Sequence, residues 1–145
     1  MNFVDPWGLY KCTYYIGQHR MVCTPNNTPY PNFESNNYVS GNNNREAPVT
    51  CDNCQNNPDR TGESFRGPIP TGEYTIGSMN SRGRRNLTPL GFNNMQGRDH
   101  FQIHGCGNRD RCSAGCIAAT TNATRDRLNA LLSLEEGNNT LTVEP

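Results

Sequence analysis

Seven cysteines constrain this chain more than any other feature: Cys12, Cys23, Cys51, Cys54, Cys106, Cys112 and Cys116. Only 32% of the 145 residues are hydrophobic, and mean hydropathy is −0.84. A core that poor cannot supply much burial energy, and small secreted domains in that position compensate with cross-links. The density reads as a disulfide scaffold working in an oxidising compartment. The odd count matters, because three bridges leave one thiol over, and a reactive thiol is one reason for a leftover cysteine. Six cysteines allow fifteen pairings. Sequence proximity favours Cys12–Cys23, Cys51–Cys54 and Cys106–Cys112, which leaves Cys116 free. Cys51-Asp52-Asn53-Cys54 also has the form of half a zinc site or a redox pair, but no second Cys-x-x-Cys follows it, so a local disulfide is preferred.

Charge excludes some functions. Lys+Arg and Asp+Glu are both 13, so the chain lacks the basic excess of a nucleic-acid binder and the net charge of a disordered one. Lys11 is the only lysine, and the arginines suit carboxylate recognition, so a carboxylate-bearing substrate fits. No run of apolar residues could span a bilayer. The N-terminus has neither a charged nor an apolar export region, so such a chain is expected to travel as part of a larger protein.

Abundant asparagine, with Gly 14 and Pro 10, predicts one mainly β domain of short strands and polar loops. Tyr10–Ile16 and Met21–Thr24 read as a hairpin around Gly17-Gln18-His19, with His19 at the surface. Residues 25–64 read as loop with one short strand, Tyr38–Ser40. Glu73–Ile76 alternates as a half-buried strand after the turn Gly67-Pro68-Ile69-Pro70. A weak strand is expected near Leu87–Phe92, in a loop whose arginines Arg82, Arg84, Arg85 and Arg98 read as a solvated face or as a contact to an anionic substrate group. Asp99–His104 forms a strand and Gly115–Ala119 returns as another. Thr121 or Asn122 caps a helix to about Leu134, with Ala123, Leu128, Leu131 and Leu132 on its apolar face and Gly137 as its stop. Leu141–Val143 adds a last strand.

The chemistry concentrates in His104 to Cys116. Imidazole accepts a thiol proton and the thiolate attacks carbonyls, and the glycine beside Cys116 lets backbone approach a substrate. Ile103-His104-Gly105 followed by Ser113-Ala114-Gly115-Cys116-Ile117 resembles the signature of the L,D-transpeptidase (YkuD-like) family. Gly67 to Ile76 is similar to that family's Pro-x-Gly-x-Tyr/Phe-x-Ile strand. The match covers about residues 65–145 and is nearest to effectors of this type delivered by type VI secretion. Ala114 departs from the pattern, standing where the family usually has histidine, and the His-to-Cys spacing is short.

The resemblance implies an L,D-transpeptidase-like β-sandwich or barrel with one helix after the catalytic cysteine. It implies Cys116 as nucleophile and His104 as base, oriented by a carbonyl near Gly105. The N–H groups of Gly115 and Cys116 would form an oxyanion hole, with Ser113 fixing the turn. The implied substrate is the peptidoglycan tetrapeptide stem, cut before its terminal D-alanine by carboxypeptidase or exchange chemistry without cofactor or metal. Arg109, Arg111 and Asn108 are candidates to hold the substrate. Asn2 to Leu9 resembles the Asp-Pro-x-Gly-Leu motif (Asp5, Pro6, Gly8, Leu9) that closes the core of Rhs-repeat proteins, after which a toxin is released. On that reading residues 1–9 end an Rhs core and 10–145 are the toxin. Type VI secretion would then carry it to the periplasm of a target bacterium, and the producer would need an immunity protein. Two alternatives stay open: a metal-dependent nuclease using Asp99-His100 with His104, and a non-catalytic disulfide-stapled wall-binding module.

Overall fold

The computed structural model describes residues 10–26, 29–43, 50–109, 111–134 and 139–145. The leader motif (Asp5, Pro6, Gly8, Leu9) and Gly137 lie outside the described residues. Strands β1 (Tyr10–Tyr15) and β2 (Arg20–Pro25) form the expected hairpin. The chain reverses through a short 3-10 turn, Ile16–Gln18, and His19 in the left-handed region at φ 54°. Alternation puts Tyr10, Cys12 and Tyr14 inside. Cys12 faces Cys23 across the ladder, and a disulfide joins them.

Strand β3 (Phe33–Ser35) lies in the segment expected to be loop before Tyr38. Three residues carry too little alternation to be read as a strand, and it is pairing with β2 that holds them. Strand β4 (Tyr38–Ser40) falls where expected. Next come β5 (Gly72–Met79), β6 (Arg85–Pro89), β7 (Gln102–Gly105), β8 (Ile117–Ala119), helix α1 (Asn122–Leu134) and β9 (Thr140–Glu144). They build one nine-stranded sheet among the described residues, ordered β3-β2-β1-β9-β5-β6-β7-β8-β4. Its two edge strands, β3 and β4, are joined by Asn36-Asn37 alone. That short link forces the sheet to curl until its edges nearly meet, giving an almost closed barrel. The fold is therefore mainly β, with one helix after Cys116 and three disulfides among the described residues.

Strand β9 is not an outer strand added at the end. It sits inside the sheet, parallel to β1 and antiparallel to β5, and so joins the N-terminal hairpin to the rest. Helix α1 packs on β3, β7 and β8. Thr121 is its cap, accepting from the Thr124 N–H at 3.1 Å. The buried stripe is Thr124, Leu128 and Leu132, one residue every four, while Ala123 is exposed and Leu131 only half-buried. Spacing alone does not distinguish neighbouring registers when one candidate is a lone alanine.

The arginine loop also differs from expectation. Arg82 is exposed, but Arg85 is fully buried and Arg98 is 9% exposed. Arg85 donates to Asn129 Oδ1 (3.0 Å), Ser133 Oγ (3.1 Å) and the Gly77 carbonyl (3.2 Å), tying β5 and β6 to the helix. A guanidinium with five fixed donors can be buried where backbone and side-chain oxygens converge on it.

Candidate active site

Strands β7 and β8 run parallel, with His104 beside Ala118. Cys116 stands two residues before Ala118, so strand alternation puts His104 and Cys116 on the same face of the sheet. That face is opposite the Ile103 and Ile117 side chains of the main core and carries the small cluster Val39, Cys106 and Ala118. The strand pair positions the residues, and two loops then hold Cys116.

The loop Ser113–Cys116 is held from several directions. Ser113, 1% exposed, uses its hydroxyl fully: Oγ accepts from the Gly41 and Gly115 N–H groups, each at 3.0 Å, and donates to the Cys116 carbonyl at 2.5 Å. The Asn42 side-chain amide donates to the Ser113 carbonyl. Ser40 Oγ donates to the Gly115 carbonyl (2.7 Å) and accepts from the Ile69 N–H (2.9 Å), joining the nucleophile loop to the Gly67–Pro70 turn. Arg98 donates to the carbonyls of Thr61 (2.6 Å), Pro68 (2.7 Å), Gly67 (3.0 Å) and Ala114 (3.1 Å), and its guanidinium lies 5.1 Å from the centre of the Phe101 ring. Gly115 is required for this arrangement. Its φ is +135°, and a Cβ there would lie 2.5 Å from the Arg98 guanidinium and 2.8 Å from Phe101.

Disulfides join Cys51 to Cys54 and Cys106 to Cys112, and Cys116 is the free thiol. Cys116 lines an open cavity of about 360 Å³ with Phe65, Arg98, Asp99, His100, Phe101 and Ala114. Burial pushes its thiol pKa up, only partly offset by the backbone N–H groups of Gln102 and of Cys116 itself and by the charges of Arg84 and Arg98. The His104 ring contacts the Gly105 carbonyl through Nδ1 at 2.8 Å. A carbonyl only accepts, so Nδ1 carries the proton and Nε2 keeps its lone pair. Burial pulls the His104 pKa down, with Arg84 adding to the effect and the Gly105 contact opposing it. At neutral pH the two groups are therefore a thiol and a neutral imidazole rather than a thiolate–imidazolium pair.

No hydrogen bond joins Cys116 Sγ to His104 among the described residues. The thiol instead points to the His100 carbonyl at 4.0 Å, and His104, 6% exposed, lines a small separate cavity with Tyr38 and Leu128. The Gly115 N–H is already committed to Ser113, while the N–H groups of Cys116 and Gln102 face the sulfur. Asn108 caps the helix start instead of the cavity, accepting from the Asn122 N–H at 2.8 Å. Arg109 donates to the Cys106 carbonyl at 3.4 Å, Arg111 is exposed, and neither lines the Cys116 cavity. The cation whose charge reaches both His104 and Cys116 is Arg84, half-buried and bonded to Gln102 Oε1 at 3.3 Å. Its only sequence signal was membership of the basic loop. Asp99 and His100 pair with each other at 2.7 Å. No cluster of three or more potential metal ligands forms among the described residues, and none of their helices is long and apolar enough to cross a membrane.

The family described as the Tlde1 domain matches residues 50–143. No curated protein matches the chain in sequence. Among solved structures, the helical cell shape determining protein Pgp2 from Campylobacter jejuni is similar in fold, with a TM-score of 0.56, 13% identity and 94% of this chain covered. The chain spans about half of that protein's length, 47%. An L,D-transpeptidase from Mycobacterium smegmatis aligns at a TM-score of 0.48 and 11% identity, over 95% of this chain and 59% of that one.

Proposed function

The chain belongs to the Tlde1 domain family, and from that membership we propose that it is an antibacterial effector domain that attacks peptidoglycan stem peptides through Cys116. The observation that carries the reading is the free thiol itself, in an open cavity, on a loop immobilised by Ser40, Ser113 and Arg98, sharing a sheet face with a neutral, tautomer-fixed histidine. His104 takes the thiol proton as the sulfur attacks the amide before the terminal D-alanine, and passes it to the leaving amine. Because the thiol is protonated at rest, a base is needed for every turnover. The Cys116 N–H is the donor for the developing oxyanion.

The acyl-enzyme passes to water or to a D-amino acid. Either outcome removes the donor stems needed for cross-links. Arg109 and Arg111 are candidates to hold a stem carboxylate, and Arg84, whose charge acts on both His104 and Cys116, is a third. Delivery as the released end of an Rhs protein through type VI secretion, action in the target periplasm, and a cognate immunity protein complete the reading.

The test is incubation with disaccharide tetrapeptide, following D-alanine release by mass spectrometry. Wild-type protein is expected to release it, and Cys116→Ala and His104→Ala to lose release by on the order of 100-fold or more. Wild-type rates in both variants would exclude this assignment.

A further inference from the structure

The cavity that holds the thiol has a histidine of its own. His100 and Asp99 both line it, and the His100 ring meets Asp99 Oδ1 through Nδ1 at 2.7 Å. An aspartate on Nδ1 fixes the tautomer and leaves Nε2 as the proton acceptor, the relation that orients a general base in a catalytic triad. The backbone of His100 is unusual too. Its φ is 64°, a left-handed conformation that L-residues rarely adopt. That turn places its carbonyl 4.0 Å from Cys116 Sγ. An off-minimum residue beside a nucleophile is an observation from which function can be argued. His104, by contrast, is buried and lines a different and much smaller cavity. The second substrate must enter through the open cavity, where His100 and Asp99 are 90% and 82% exposed.

We propose that the two half-reactions use different histidines, and that the Asp99–His100 pair is the base that clears the acyl-enzyme. The proposal rests on the cysteine-acylation reading above. In this step the oxygen of water, or the nitrogen of an amine, attacks the thioester carbonyl, and its proton moves to His100 Nε2. The C–S bond breaks and its electron pair returns to sulfur. The proton on His100 passes through solvent to the thiolate, so thioester and water become carboxylic acid and thiol. His104 serves acylation. Asp99 is a positioning residue that acts through His100.

The experiment uses the whole chain with disaccharide tetrapeptide, comparing wild type, His100→Gln, Asp99→Asn and Cys116→Ala. Burst release of D-alanine and intact-protein mass report acylation, and steady-state release reports turnover. His100→Gln is expected to keep the wild-type burst rate, to accumulate the tripeptidyl-enzyme, and to lower steady-state turnover by on the order of 100-fold. Asp99→Asn is expected to do the same more weakly. Both side chains are mostly exposed, so the variants are expected to keep wild-type circular dichroism. Wild-type turnover in His100→Gln, or loss of burst and turnover together, would overturn the proposal. A wild-type protein that forms no acyl-enzyme at all, like Cys116→Ala, would instead remove the reading on which it rests.

Discussion

At the scale of single residues, burial moves the two reacting groups in opposite directions, and each has a measurable consequence. The Cys116 thiol lies above the ordinary cysteine value of about 8.5, so iodoacetamide labelling followed against pH should have its midpoint above that of a free cysteine. A midpoint near neutrality would contradict the neutral-thiol description. His104 has its folded pKa below the unfolded value of about 6.5. Below that value the unfolded chain binds more protons than the folded one, so stability is full at higher pH and falls as pH drops towards the folded pKa. Denaturant midpoints at pH 7.5 and pH 5 should therefore separate less in His104→Asn than in wild type. Arg84→Gln is expected to raise KM for a carboxylate-bearing stem about tenfold, the loss of one charge-assisted hydrogen bond of ~1.5 kcal/mol, with little change in thermal stability.

At the scale of elements, the nucleophile loop is a short segment that its neighbours define. Ser113→Ala strips the buried Gly41 and Gly115 N–H groups of their acceptor, and each buried unsatisfied group costs about 1–3 kcal/mol. A denaturant midpoint unchanged by this substitution would show that the loop is held otherwise. Gly115→Ala should be worse, because the left-handed φ and the approach of Arg98 and Phe101 both oppose a Cβ. The hairpin, the Tyr38–Ser40 strand, the strand through Ile103 and the helix were legible in the sequence because alternation or a capped apolar stripe marks them. Strand β3, the buried Arg85 and Arg98, and the exposed Ala123 were not. A three-residue strand has no period to read, and an arginine in a polar loop looks the same whether it meets water or four carbonyls.

At the scale of the whole molecule, the family match begins at residue 50, yet the sheet does not. Strand β9 pairs with β1, and β4 pairs with β8 beside the site. A fragment starting at residue 50 would expose edges of β8 and β9, and unpaired edges template aggregation. It is expected to elute as aggregate or to lack native circular dichroism, whereas the full chain is expected to elute as one species with the spectrum of a folded β protein. Replacing Cys12 and Cys23 together by serine should cost about 2–4 kcal/mol, read as a lower denaturant midpoint.

The sequence alone determined the chemistry available to this protein: cysteines in odd number, a histidine closing a strand, glycines beside the thiol, and an apolar content low enough to favour cross-links. Those properties are local, and composition and spacing carry them. Tertiary structure decided which groups meet. It turned Arg98 from a surface charge into the clamp of the nucleophile loop. It committed the Gly115 N–H to Ser113, sent Asn108 to the helix start, and placed Arg84 and the Asp99–His100 pair near the thiol. These outcomes depend on strand register and sheet closure, which arise from contacts between residues far apart in the chain, and no local pattern records them.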